Sequence, residues 1–177
     1  MKPADGVVYV LDDDDGVREA LSEVLAATGT PHVTFGSATE YLRYPRADAC
    51  ACLILDVQLP DVNGLDLQRQ LGDDVGPPII FVSGYGDVPS TVRAMKAGAV
   101  EFLTKPVDHD VLLAAVHTAF ARDLTQRQKA AELAELRRRF ALLTPRESEV
   151  LPLIAGGMLN KQARSEERRG GKECRSR

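Results

Sequence analysis

Five side chains in this sequence could act together, Asp12, Asp13, Asp56, Ser83 and Lys105, each at or just past the end of a strand-like stretch. Val7-Val8-Tyr9-Val10-Leu11 stops on Asp12-Asp13-Asp14-Asp15, Cys52-Leu53-Ile54-Leu55 stops on Asp56, Ile79-Ile80-Phe81-Val82 stops on Ser83, and Glu101-Phe102-Leu103-Thr104 stops on Lys105. Three carboxylates brought within a few ångström repel by roughly 1 kcal/mol per pair in water and about 4 kcal/mol at a protein surface. Asp12, Asp13 and Asp56 at one edge would therefore need a cation. The ligands on offer are hard oxygens with no His or Cys among them, which suits Mg²⁺ and not zinc or copper. Lys105 would add a point charge for a developing phosphoryl group, and the Ser83 hydroxyl could hydrogen-bond one of its oxygens. With the metal on Asp12, Asp13 and the loop after Asp56, the Asp56 carboxylate is free to attack phosphorus and form an acyl phosphate, which water would later hydrolyse. Taken singly, these residues have blander readings. Asp13 to Asp15 could be a solvated helix start favoured by the helix dipole, and Lys105 a simple counter-ion.

The elements that must bring these side chains together are legible as alternating patterns. After Gly16, the positions Val17, Ala20, Leu21, Val24 and Leu25 recur at helical spacing, and Gly29 closes the helix. A short strand follows around Val33-Thr34-Phe35. Ser37-Ala38-Thr39-Glu40 has capping-box spacing, predicting a helix to about Tyr44 with Pro45 beyond its end. Pro60 to Gly64 reads as a loop and Leu65 to Leu71 as a helix. Pro77-Pro78 restarts the chain in extended form before the strand that ends on Ser83, and Gly84-Tyr85-Gly86 reads as a flexible turn. Pro89 fits the first turn of a helix to Ala97 that Gly98 ends, and Asp108 to Ala121 carries Val111, Leu112, Ala115, Val116 and Ala119 on one face. Five strands alternating with five helices through short loops imply an α/β fold. It is a doubly wound five-stranded parallel sheet with the strand ends gathered at one functional edge.

Composition narrows the classes further. The 177 residues leave room for one full domain and a small addition. No run approaches the length of a membrane span, and Met1 to Gly6 carries no apolar signal segment, so the expectation is a cytoplasmic protein with no membrane partner. Cys50, Cys52 and Cys174 are odd in number and lack metal-ligand or redox spacing; Cys50 and Cys52 read as small core hydrophobes. Residues 1–121 hold 8 Lys and Arg against 18 Asp and Glu, a balance of −10, whereas residues 122–177 hold 14 against 8, a balance of +6. The acidic part is poorly suited to approach nucleic acid, while the basic part could.

At this point the sequence resembles a known family, the receiver domain of two-component response regulators. The matching pieces are Leu11-Asp12-Asp13-Asp14, Leu55 to Gly64, Phe81 to Asp87, Ala94-Met95-Lys96-Ala97-Gly98-Ala99 and Phe102-Leu103-Thr104-Lys105-Pro106, and they cover about residues 6–121. The wording from Gly84 to Ala99 looks most like the FixJ-type subgroup. The resemblance implies that Asp56 is phosphorylated by a sensor histidine kinase. It implies that Asp13, Asp56 and the Gln58 backbone carbonyl hold Mg²⁺, with Asp12 holding it partly through water. Lys105 would bind the phosphoryl group, Ser83 would be the switch hydroxyl, and Phe102 the aromatic that turns inward when Ser83 moves. A cis bond before Pro106 and a phosphorylation-dependent homodimer are also implied. On the residues alone, Phe102 is equally readable as plain core.

The expected organisation is a receiver domain over 1–121, a helical linker over 122–143, an incomplete start of a LuxR-type helix-turn-helix domain over 144–163, and a disordered, non-native tail over 164–177. From Arg122 to Leu143 there are good helix formers and no Gly or Pro, and Leu133, Leu136, Phe140 and Leu143 have 3-4-3 spacing. That seam could pair two chains or pack on the receiver, though it is too short to be read as a coiled coil. Arg137-Arg138-Arg139 reads as a solvated face. Thr144-Pro145-Arg146-Glu147 is a strong helix start, and the stretch to Ala163 looks like the opening of the LuxR-type domain, with a kink expected at Pro152. No recognition helix follows, so specific DNA binding is expected only through a complete C-terminal domain and not from this chain. Arg164 to Arg177 has no apolar residue except Cys174. It resembles the translated frame of a common sequencing adapter, differing at Gly170 where valine is expected.

Two other function classes compete with a phosphorylation-controlled transcriptional regulator. One is a stand-alone receiver, a phosphate sink or relay that binds a kinase and no DNA. The other is a Mg²⁺-dependent phosphatase with an Asp nucleophile. Such enzymes place a second aspartate two residues after the nucleophile, where this chain has Gln58. The protein is therefore expected to be a regulatory phosphoacceptor and not an enzyme acting on other substrates.

Overall fold

The computed structural model describes residues 6–46, 48–72, 76–84 and 88–155. The expectations for Tyr85 to Asp87, for Asn160 to Ala163 and for the tail lie outside these residues. The chain divides into two compact units, Met1–Gln128 and Lys129–Arg177.

In the first unit the elements alternate as β1 (Gly6–Leu11), α1 (Asp15–Ala27), β2 (His32–Phe35), α2 (Ala38–Arg43), β3 (Cys50–Asp56), α3 (Gly64–Leu71), β4 (Ile79–Ser83), α4 (Val88–Lys96) and β5 (Glu101–Thr104), and then α5 (His109–Ala141) begins. The five strands form one parallel sheet in the order β2-β1-β3-β4-β5. Parallel neighbours require crossovers, and the helices that make them cover both faces of the sheet. This is why the strand sequences read as continuous apolar runs.

The period of two along each strand sorts the core into halves. Tyr9, Leu11, Leu53, Leu55, Ile79 and Phe81 pack with Tyr41 of α2, Leu65 and Leu67 of α3 and Ala94 of α4. Val8, Val10, Cys52, Ile54, Ile80 and Val82 pack with Leu21 and Leu25 of α1 and with Leu112, Val116, Ala119 and Phe120 of α5. Cys50 and Cys52 lie on that second face as expected. Burial raises the Cys50 thiol to about 11 and pushes Cys52 further up, so both stay protonated at neutral pH.

Two helix ends differ from the sequence reading. The Ser37 hydroxyl accepts from Glu40 N at 3.3 Å, but the Glu40 carboxylate accepts from Gly36 N at 3.0 Å, so the box closes on Gly36 instead of Ser37. α5 continues through the expected helical linker and ends at Ala141, short of the expected Leu143, which lies in the bend beyond it. It is also tied to the sheet beyond residue 121. Buried Asp123 accepts from Ala51 N at 3.1 Å and from Arg127 Nε at 2.7 Å, and Arg127 reaches Asp48 at 2.6 Å.

In the second unit, the reciprocal bonds of Thr144 and Glu147 close a full capping box ahead of α6 (Pro145–Ala155). The helix continues through Pro152. Among the described residues no helix is long and apolar enough to cross a membrane.

Candidate functional site

β1 and β3 are adjacent and in register, Leu11 opposite Leu55, so the residues that follow them emerge side by side at the carboxyl edge. Asp12 and Asp56 are buried there, while Asp13 is exposed beside them. Carboxylate oxygens of Asp12, Asp13 and Asp56 all lie within 4.8 Å of one another. The acidic run splits in function at this point. Asp14 caps α1, accepting from Gly16 N at 2.8 Å and Val17 N at 3.3 Å, and Asp15 lies in its first turn. The solvated-helix-start reading, offered for Asp13 to Asp15, fits Asp14 and Asp15, while exposed Asp13 stands ahead of the cap beside Asp12 and Asp56.

Lys105 reaches in from the end of β5, its Nζ 2.6 Å from Asp12 Oδ2 and 2.7 Å from Asp56 Oδ2. The contact with Asp56 has the angles of a hydrogen bond; that with Asp12 is an ion pair only, so buried Asp12 Oδ2 has no directed donor. The other oxygens are occupied from the backbone, Asp12 Oδ1 by Asp14 N at 3.0 Å and Asp56 Oδ1 by Gln58 N at 3.1 Å. A parallel bridge of geometry brings in β4. Asp56 pairs with Val82, so buried Ser83 is the next residue along, and Lys105 N donates to the Ser83 carbonyl at 2.9 Å. Phe102 is half-buried, opposite Phe81 in the ladder and stacked on it at 6.0 Å between ring centres, in the core half that contains Ala94 and Leu65. The Lys105–Pro106 bond is cis.

The residues fit a hard divalent cation. Their donors are oxygens, and three carboxylates lie close enough to share an ion. The description "Response regulator receiver domain" matches residues 8–117. The chain belongs to the response regulator receiver domain family.

Relatives agree with that membership over a longer stretch. The response regulator protein TmoT of Ectopseudomonas mendocina is 43% identical over 165 residues, covering 92% of this chain and 74% of that protein. Among solved structures, the response regulator StyR superposes with a TM-score of 0.77 at 40% identity, over 92% of this chain and 83% of that one. Full-length FixJ from B. japonicum superposes with a TM-score of 0.63 at 32% identity, over 93% and 82%.

The electrostatics of this receiver pocket follow from its burial. Desolvation raises Asp12 above the usual carboxylate range, against the pull of Lys105. For Lys105 burial works against the charge, but its contacts with Asp12 and Asp56 outweigh that and hold the ammonium above its ordinary value. Three contributors to the receiver site escaped the sequence reading. Arg18 donates to the Asp12 carbonyl at 2.6 Å, steadying the β1 exit from one turn into α1. Asp61 accepts from Ala38 N at 3.2 Å and Thr39 N at 2.8 Å, tying the loop after Asp56 to the start of α2. At Gly64 a Cβ would stand 2.3 Å from the Asp56 carbonyl oxygen, so only glycine lets α3 begin this close to β3. The Asn63-Gly64 pair was a turn signal; nothing local marks Arg18 or the 22-residue reach of Asp61.

Proposed function

We propose that this receiver is the phosphorylation-controlled input of a transcriptional regulator and that Asp56 accepts a phosphoryl group from a sensor histidine kinase in the cytoplasm. The observation that carries the reading is the meeting of Asp12, Asp13, Asp56 and Lys105 at one strand edge. An Asp56 carboxylate oxygen attacks phosphorus, the P–N bond of the kinase's phosphohistidine breaks, and the imidazole leaves with the electron pair. The product is an acyl phosphate, which water later returns to carboxylate and inorganic phosphate.

Asp13, Asp56 and the Gln58 carbonyl would hold Mg²⁺, with Asp12 acting partly through water; the ion would offset charge on the phosphoryl oxygens. Lys105 is already bound to Asp56 and would turn its ammonium to the arriving phosphoryl oxygens. Ser83, one residue beyond the level of Asp56, would donate its hydroxyl to the phosphorylated form, and Phe102 on the neighbouring strand would follow it inward. In the second unit, the Thr144–Glu147 cap and α6 support the start of a LuxR-type domain over 144–163. DNA binding would belong to a complete form of that domain, and a phosphorylation-dependent homodimer would present it.

Incubation with Mg²⁺ and a small acyl-phosphate donor tests the core of this reading. Wild-type chain should acquire one acid-stable, base-labile phosphoryl group, and Asp56→Asn should acquire none. Equal labelling of the variant would refute the nucleophile.

A further inference from the structure

In the second unit the helix carries a stripe that neither the fold nor the phosphorylation chemistry uses. Leu133, Leu136 and Phe140 are 47%, 52% and 56% exposed, and their 3-4 spacing sets them on one face of α5. The charges beside them are divided in a telling way. Glu135, off the stripe, is occupied by Arg138 at 2.9 Å and Arg139 at 2.8 Å within the same helix. Glu132 and Arg137 flank the stripe and have no ion-pair partner among the described residues.

We infer that this face is an interface between two copies of the chain, which pair through α5 as parallel helices in register. With Leu133 and Phe140 at a positions and Leu136 at d, Glu132 falls at g and Arg137 at the following e. Those are the two positions, five residues apart, that face each other across a parallel pair. Each copy then sets its free Glu132 against the free Arg137 of the other, twice by symmetry, while like side chains stack in three apolar layers. An antiparallel pair that aligns Leu133 with Phe140 of the second copy brings Arg137 against its own counterpart. Charge thus selects the parallel arrangement. Leu143 falls beyond the helix end and adds no regular layer, so the seam is short and the dimer weak and concentration-dependent. This contact through α5 is separate from the phosphorylation-dependent pairing proposed above and needs no phosphoryl group on Asp56.

Sedimentation velocity of the full chain from micromolar to millimolar concentration reads the equilibrium. A monomer–dimer transition is expected for wild type and, unchanged, for Asp56→Asn, which separates this inference from the phosphoacceptor reading. Leu136→Glu should leave the helical circular dichroism intact and abolish the dimer. Glu132→Arg and Arg137→Glu should each weaken it by roughly three- to tenfold, and the double reversal should return it to within about threefold of wild type. A chain that stays monomeric throughout, a dimer that survives Leu136→Glu, or charge reversals that do not rescue each other would overturn the proposal.

Discussion

Lys105 does two jobs in the pocket, neutralising Asp12 and Asp56 and holding a proton-rich ammonium where phosphoryl oxygens would arrive. Replacing it with Met leaves two buried carboxylates facing each other without a counter-charge. Breaking a buried ion pair in this way costs about 3 kcal/mol. We expect Lys105→Met to unfold at a lower temperature in metal-free buffer, and added Mg²⁺ to recover more stability in the variant than in wild type; calorimetry with and without the ion checks both. A variant as stable as wild type without metal would mean that the lysine is not what balances the acidic pair. The five candidate side chains could be picked out because each lies at or just past the end of a strand-like stretch. The division of the four consecutive aspartates was half settled there: Asp12 and Asp13 were assigned to the site, with a solvated helix start left open for Asp13 to Asp15. It depends on where α1 starts, and with Asp14 as cap only Asp12 and Asp13 remain to face the site.

Asp61 in the loop after β3 and Gly64 at the start of α3 show how an element is held so that the pocket keeps its shape. Asp61 caps α2 from a distance, accepting from Ala38 N, Thr39 N and the Thr39 hydroxyl, and the Thr39 backbone bond leads in holding its carboxyl below the usual range. Loss of a cap of this kind costs about 1 kcal/mol, less where water screens it, and we expect that order for Asp61→Ala in urea denaturation. Because the folded-state pKa is depressed, the contribution is full above the unfolded value and fades as pH falls through the folded one. The gap between wild type and variant should therefore be present at about pH 6 and close towards about pH 3. At Gly64 the neighbour of an added Cβ is backbone, the Asp56 carbonyl at 2.3 Å, which cannot swing aside. Gly64→Ala should destabilise by about 2 kcal/mol and slow labelling of Asp56, since α3 must retreat from the strand that carries it. Denaturant midpoints and labelling time courses measure the two effects; an unchanged midpoint would contradict the close approach. Element types were legible from period and caps, and β5 was bounded correctly at both ends. The far end of α5 was not, because continuous helix formers give no stop before the bend at Leu143.

Across the whole molecule, the buried apolar side chains among the described residues run from Val8 to Phe120, and the Asp123–Arg127 anchor closes the first unit by Gln128. A chain ending at residue 128 should therefore melt within about 2 °C of the full protein and label equally well with an acyl-phosphate donor, whereas one ending at residue 121 loses the bonds to Ala51 and Asp48 and should melt lower. Equal melting of the two shortened forms would show that the anchor contributes nothing. By itself the sequence determined the alternation of strands and helices and the identity of the side chains at strand ends, since hydrophobic period and capping act over a few residues. Only the tertiary structure decided the distances among Asp12, Asp56 and Lys105, the strand order that sets β1 beside β3, and the reach of Asp61 and Asp123. Those contacts join residues 22 to 93 positions apart, and no local pattern encodes which distant backbone groups will be left needing a partner once the sheet has closed.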